Sequence, residues 1–128
     1  MKDKILLNHV ALNYNDEAGA KTFFTDVLGL PLTKKFAISR EVSEAIFGIK
    51  ENVDILVYDN DETRFEVFIG QVVKKHGYEH ICIEVDDKSK FVNRCKKYEI
   101  NLVTVKKEGR DLLFVRDYSG NLFEVKVK

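Results

Sequence analysis

Four residues of this chain have the types and places to act together on one ion: His9, Glu66, His80 and Glu124. Each falls in an apolar, alternating run, on the less apolar phase. A carboxylate in mid-strand, if buried without a partner, costs several kcal/mol or stays protonated, so two at equivalent positions call for compensation. A cation supplies it. Two imidazoles and two carboxylates form a borderline-hard donor set that suits octahedral Zn²⁺, Ni²⁺, Co²⁺, Mn²⁺ or Fe²⁺, with two positions left for water or substrate. Taken singly, a strand His is usually hydrogen-bonded and a strand Glu usually solvated. Their recurrence at matched places carries the metal reading.

That recurrence is an internal repeat. Asn8-His9-Val10-Ala11-Leu12 matches Glu79-His80-Ile81-Cys82-Ile83 at an offset of 71, and Arg64-Phe65-Glu66-Val67-Phe68 matches Leu122-Phe123-Glu124-Val125-Lys126. His and Glu lie 57 residues apart in the first half and 44 in the second; the surplus of 13 is the size of the Ser39 to Glu51 segment, which has no counterpart later. One insertion reconciles the halves. His76, in the connector Lys74-Lys75-His76-Gly77, has no repeat partner and reads as solvated.

Strands and helices must position these groups. Leu6 to Tyr14 alternates as a half-buried strand. Asn15 or Asp16 then caps a helix of about three turns that carries Ala20, Phe23, Phe24, Val27 and Leu28 and stops at Gly29, before Pro31. Leu32 to Ile38 is a weaker strand; Ser39 to Lys50 reads as a short helix or ordered loop, with Val42, Ala45, Ile46 and Ile49 at helical offsets. Val53 to Tyr58 and Arg64 to Ile69 form strands joined by the polar turn Asp59 to Glu62. Tyr78 to Val85 starts the pattern again, and Asp86 or Asp87 caps a helix bearing Phe91, Val92, Cys95 and Tyr98. Leu102 to Val105, Leu112 to Arg116 and Leu122 to Val127 complete three strands, with turns at Glu108 to Arg110 and at Asp117 to Asn121, where Gly120 or Asn121 supplies positive φ. Phe65, Val67, Ile69, Phe123, Val125 and Val127 make packing faces, which leaves the opposite faces for chemistry.

Composition sets the bounds. With 128 residues, 45% apolar and one Pro, the chain buries a core without disulfides and reads as a single domain over 1–128, with one module at about 1–70 and a second at about 77–128. Lys plus Arg and Asp plus Glu each number 21, so no basic field recruits nucleic acid. Cys82 and Cys95, thirteen apart among apolar neighbours, suit reduced packing residues in a cytosol. The opening Met1-Lys-Asp-Lys-Ile-Leu-Leu-Asn-His has an apolar run too short for a signal sequence or a bilayer span, which places the protein in the cytoplasm and away from membranes.

Over essentially its whole length the sequence resembles the vicinal oxygen chelate superfamily, the glyoxalase and bleomycin-resistance fold. Asn8 to Leu12, followed by Phe23-Phe24-Thr25-Asp26-Val27-Leu28-Gly29-Leu30, resembles that family's opening strand and helix; Gly77 to Asp87 resembles its mid-chain His strand, and Phe114 to Glu124 its closing turn and ligand strand. The resemblance implies an α+β fold of two tandem βαβββ modules forming a curved mixed sheet around a metal and substrate cavity. It implies His9, Glu66, His80 and Glu124 as metal ligands, with Glu124 or Glu66 carrying a proton as in glyoxalase I and methylmalonyl-CoA epimerase. It also implies a homodimer whose site is shared between subunits in several members. Phe24 stands where many relatives have Tyr, and Tyr118-Ser119 replaces a common Pro-Asp; both bear on substrate rather than metal.

Three activities follow. The first is a metal-dependent lyase or isomerase acting on a small molecule such as a thiol adduct of a 2-oxoaldehyde or an acyl thioester, through chelation of adjacent oxygens. The second is a three-ligand dioxygenase or thiol transferase, in which Glu66 is spare. The third is a metal-free drug-binding module of the bleomycin-resistance type. Arg40, Arg64, Arg110 and Arg116 are each able to hold an anionic group of a thiol cofactor, with Arg64 on the face of Glu66 or in a cross-strand ion pair.

Overall fold

Alternating sequence becomes sheet only where a neighbouring strand completes its hydrogen bonds. The computed structural model describes residues 6–72 and 77–127, which leaves His76 outside the described residues. The first module runs β1 (Val10–Tyr14), α1 (Glu17–Lys21) continued by a π-helical segment (Thr22–Val27), β2 (Leu32–Ile38), α2 (Arg40–Phe47), β3 (Val53–Asp59) and β4 (Arg64–Ile69). The second runs β5 (Ile81–Val85), α3 (Lys88–Lys97), β6 (Asn101–Lys107), β7 (Arg110–Arg116) and β8 (Leu122–Val127). Each module makes a four-stranded mixed sheet in the order first, fourth, third, second strand, with the first strand parallel to the fourth. This is the expected α+β repeat, its strands divided between two sheets. The extra segment of the first module is α2, between β2 and β3.

Capping fixes the helices. Asp16 accepts a hydrogen bond from the Gly19 amide at 2.7 Å, the Ser39 hydroxyl from Val42 at 3.3 Å, and Asp87 from Lys90 at 3.1 Å. Gly48 ends α2 with φ 72°, a left-handed conformation that suits glycine. The three-turn helix expected after β1 starts as an α-helix and finishes as a π-helix, which puts Phe23, Phe24 and Val27 into the core.

Both modules share that core. Rings of Phe23 and Phe123 lie 5.2 Å apart and those of Phe65 and Phe123 6.2 Å apart, while Phe24 stacks on Tyr58 at 5.1 Å. The Asp117 to Asn121 turn ties the modules further: the Ser119 hydroxyl accepts from the Asn15 amide at 3.3 Å, and the Asn121 amide group donates to the Asn13 carbonyl at 3.5 Å. Gly120 takes the positive φ, 87°.

One expectation is corrected. The His-bearing strands begin later than alternation predicts, at Val10 and Ile81, because the ladders to β4 and β8 start there, so His9 and His80 sit just before their strands. The segment expected as a short helix or ordered loop is a helix, α2, whose Val42, Ile46 and Phe47 are exposed, as is Ile49 just past its end, while its buried residue is Ser43. Among the described residues no helix is long and apolar enough to cross a membrane.

Candidate functional site

Register brings each His beside its Glu. Ala11 pairs with Glu66 across β1 and β4, and Cys82 pairs with Glu124 across β5 and β8, so the residue two places earlier, His9 or His80, lies on the same face as the carboxylate. His9 Nε2 lies 3.4 Å from Glu66 Oε1, and His80 Nε2 lies 3.4 Å from Glu124 Oε1. Both carboxylates are half-buried, with side chains 19% and 20% exposed.

The other imidazole nitrogen of each pair is already occupied. His80 Nδ1 lies 2.9 Å from the Tyr78 carbonyl oxygen, and His9 Nδ1 lies 2.7 Å from the Asn8 side-chain oxygen. Both partners only accept, so Nδ1 carries the proton and donates. Nε2 is then a bare lone pair in the neutral ring, aimed at a carboxylate oxygen. Two electron-rich atoms face each other, and the gap needs positive charge: a proton on Nε2 or a metal ion. A ring NH given to a carbonyl, with the opposite nitrogen free, is the usual arrangement of a metal-ligating His. Two donors about 2.1 Å from one ion stand roughly 3.0–3.4 Å apart at octahedral or tetrahedral angles, so the donor set fits a divalent ion.

The four residues do not meet as one set within the chain. Phe65 and Phe123 touch across the shared core, whereas the next residues, Glu66 and Glu124, project from the opposite faces of their sheets. The two His–Glu pairs therefore lie on outer faces with the core between them, and among the described residues no group of three or more His, Cys, Asp or Glu side chains could hold a metal. Each half contributes one His and one Glu to its own face.

Other candidates resolve differently. Arg64 Nε binds Asp59 Oδ2 at 2.6 Å as a cross-strand pair, and Arg116 Nη1 donates to the Gly120 carbonyl at 2.8 Å, so both serve turns. Cys82 is exposed on the face of Glu124, while Cys95 is buried, with its thiol pushed up to about 11 by that burial. Tyr58, in the core, is pushed up to about 12 by burial and then by the Glu17 carboxylate. Sequence reasoning missed Asn8 and the Tyr78 carbonyl as imidazole partners; the Asn directly before His9 was a readable signal, whereas a backbone carbonyl leaves none. It also missed a cavity of about 430 Å³ on the face of Glu66, between α2 and the ends of β1 and β4.

The model of the Glyoxalase/Bleomycin resistance protein/Dioxygenase superfamily matches residues 6–125. The chain belongs to that superfamily. It is 29% identical to the mitochondrial methylmalonyl-CoA epimerase of Mus musculus, over 93% of this chain and 71% of the mouse protein. A glyoxalase family protein from Bacillus cereus has the same fold, with a TM-score of 0.78 at 20% identity over 98% of this chain and 96% of the other. Listeria monocytogenes fosfomycin resistance protein FosX, in a complex with Mn(II) and sulfate ion, superposes with a TM-score of 0.68 at 16% identity over 95% and 91%.

Proposed function

We propose that two copies of this superfamily member enclose a divalent ion between His9 and Glu66 of one copy and His80 and Glu124 of the partner subunit, and that the composite site transfers a proton as a lyase or isomerase. The observation that carries this reading is the pair of equivalent His–Glu contacts at 3.4 Å, each with Nδ1 committed and Nε2 turned to a carboxylate. Each face offers two donors, and a second copy supplies the missing two. Val103 and Val105, which register places on the face of Glu124, are exposed and support burial against another copy.

The ion, when bound, would stabilise negative charge developing on two adjacent substrate oxygens and so ease loss of the neighbouring proton. The chain does the rest. Nδ1 contacts fix the imidazole planes, and the second oxygen of Glu66 or Glu124 takes the proton and returns it, half-buried yet open to exchange with water. Kinship with a methylmalonyl-CoA epimerase supports an isomerase, with an acyl thioester or a 2-oxoaldehyde thiol adduct as substrate. Both cysteines are free thiols, which supports work in a reducing compartment such as the cytoplasm.

Complementation tests this directly. A His9→Ala/Glu66→Ala chain and a His80→Ala/Glu124→Ala chain should each lose metal, and their re-equilibrated mixture should recover about a quarter of the wild-type content, because a mixed dimer keeps one intact site of two. Metal content is read by elemental analysis and proton exchange by NMR in D₂O. No recovery on mixing, or full metal in either variant alone, would overturn the composite site.

A further inference from the structure

The extra segment of the first module leaves one sheet covered and its counterpart bare. Ile55 and Val57 on β3 share the face of Glu66 by register, and both are buried although neither belongs to the core shared by the modules. Their cover comes from α2. Its inner residue Ser43 is buried, and the ring of Phe47 lies 5.4 Å from that of Phe68, the register partner of Ile55. In the second module Phe114 stands opposite Glu124 as Val57 stands opposite Glu66, and Leu112 takes the place of Ile55. There β6 turns straight into β7 with no helix between them. Phe114 and Leu112 are therefore only half-buried, and their β6 partners Val103 and Val105 are 43% and 45% exposed.

The outer side of α2 has the chemistry to fill that gap. Val42 and Ile46, one turn apart, and Ile49 just past the helix form an exposed apolar stripe, with Ile46 at 65%. Charges at the margins are complementary. Beside the stripe Lys50 holds Glu44 at 3.4 Å, whereas Glu41 and Glu51 make no ion pair among the described residues. Lys107 and Arg110, which register places on the face of the bare patch, make none there either. An apolar stripe edged by carboxylates suits an apolar patch edged by cations. The two cannot meet within one chain, because the Glu66 and Glu124 faces look away from a shared core.

We infer that the outer side of α2 docks on the patch of Val103, Val105, Leu112 and Phe114 of the partner subunit, and that two-fold symmetry makes this contact twice. The inference rests on the reading that the Glu66 face of one copy meets the Glu124 face of the other. It names the elements that hold the copies together and assigns the insertion to self-association. Phe114, its ring 6.1 Å from that of His80, carries the patch up to the His–Glu pair, so the docked helix would wall one side of the ion site.

Sedimentation equilibrium of metal-free protein tests this. Wild type should dimerise, and Ile46→Glu and Val105→Glu should each weaken dimerisation about a hundredfold, because symmetry counts each change twice. Both side chains are exposed, so both variants should keep the wild-type circular dichroism spectrum. Mixing the two variants should recover part of the association, since the mixed dimer keeps one unaltered contact of two. Glu41→Lys/Glu51→Lys should weaken association severalfold at low salt and little at high salt. A wild type that stays monomeric, variants as tight as wild type, or no gain on mixing would overturn the proposal. Metal content of the His–Glu variants is read separately. Recovery of metal on mixing those variants, with Ile46→Glu dimerising normally, removes the α2 contact and leaves the composite site; α2-dependent dimers in which the His–Glu variants keep full metal do the reverse.

Discussion

The two cysteines differ in surroundings, and that difference can be measured. Cys95 lies in the core beside Phe91, where burial holds its thiol at about 11 and keeps it protonated and inaccessible at neutral pH. Cys82 stands exposed across from Glu124, on the face proposed to meet a second copy. Native protein should therefore release one equivalent of thiol to a water-soluble disulfide reagent, and the second equivalent only in denaturant. Adding the divalent ion should slow the first reaction, because ion and partner subunit together would cover Cys82. Two fast thiols in native protein would contradict the packing of α3, and a rate indifferent to metal would argue against coverage of that face.

Among elements, the turn after β7 holds the modules together. Asp117 accepts from the amides of Ser119 at 3.0 Å and Asn121 at 2.8 Å, while burial pushes its carboxyl above the usual range. Because folding raises this pKa, the folded chain holds the proton more firmly than the unfolded one. The contribution of Asp117 to stability therefore declines as pH climbs from the ordinary carboxylate range through the raised value, then levels. An Asp117→Asn variant keeps one oxygen for the Ser119 and Asn121 backbone amides, replaces the oxygen that accepts from Asn121 Nδ2 at 2.9 Å, and loses the titration, so it should gain on wild type over that window in urea unfolding. Asp117→Ala, which strands two amides, should cost about 1–3 kcal/mol for each one left buried. The order of elements was legible in the sequence because sheet faces alternate and helix starts carry Asp or Ser caps; β2, β4 and β8 fall on the expected residues. Boundaries set by a partner strand were not: nothing in Leu6 to His9 reveals that β4 begins pairing only at Val10, and β6 and β7 run on through charged Lys106, Lys107 and Arg110 because an exposed hairpin tolerates them. The helical offsets of Val42, Ala45, Ile46 and Ile49 carried no sign of which side would be buried, because periodicity reports amphipathicity and not what lies opposite. Likewise the repeat revealed four matched donors, whereas their division between two outer faces depends on Phe65 and Phe123 meeting across the core, a tertiary contact.

At the scale of the whole molecule, the proposed composite site would make ion binding and self-association one equilibrium. A lone chain offers two donors per face, too few to hold a divalent ion firmly against water, whereas a pair of chains offers four at each of two sites. On that proposal the ion would bind the dimer better than the monomer, and by linkage would strengthen the dimer to the same degree. At a free-ion concentration about a hundredfold above the dissociation constant, each site should tighten dimerisation about a hundredfold. Sedimentation equilibrium of metal-free and metal-loaded protein reads this, and Glu66→Ala should abolish the metal-dependent part while retaining the part due to apolar faces such as Val103 and Val105. If stoichiometric metal leaves the association constant unchanged, the ion sits within one chain and the two faces must rearrange to meet, contrary to the shared aromatic core that keeps them apart. If association is strong and metal-independent but both glutamate variants keep the ion, the His–Glu gaps are bridged by protons, and the composite site is lost while the fold remains.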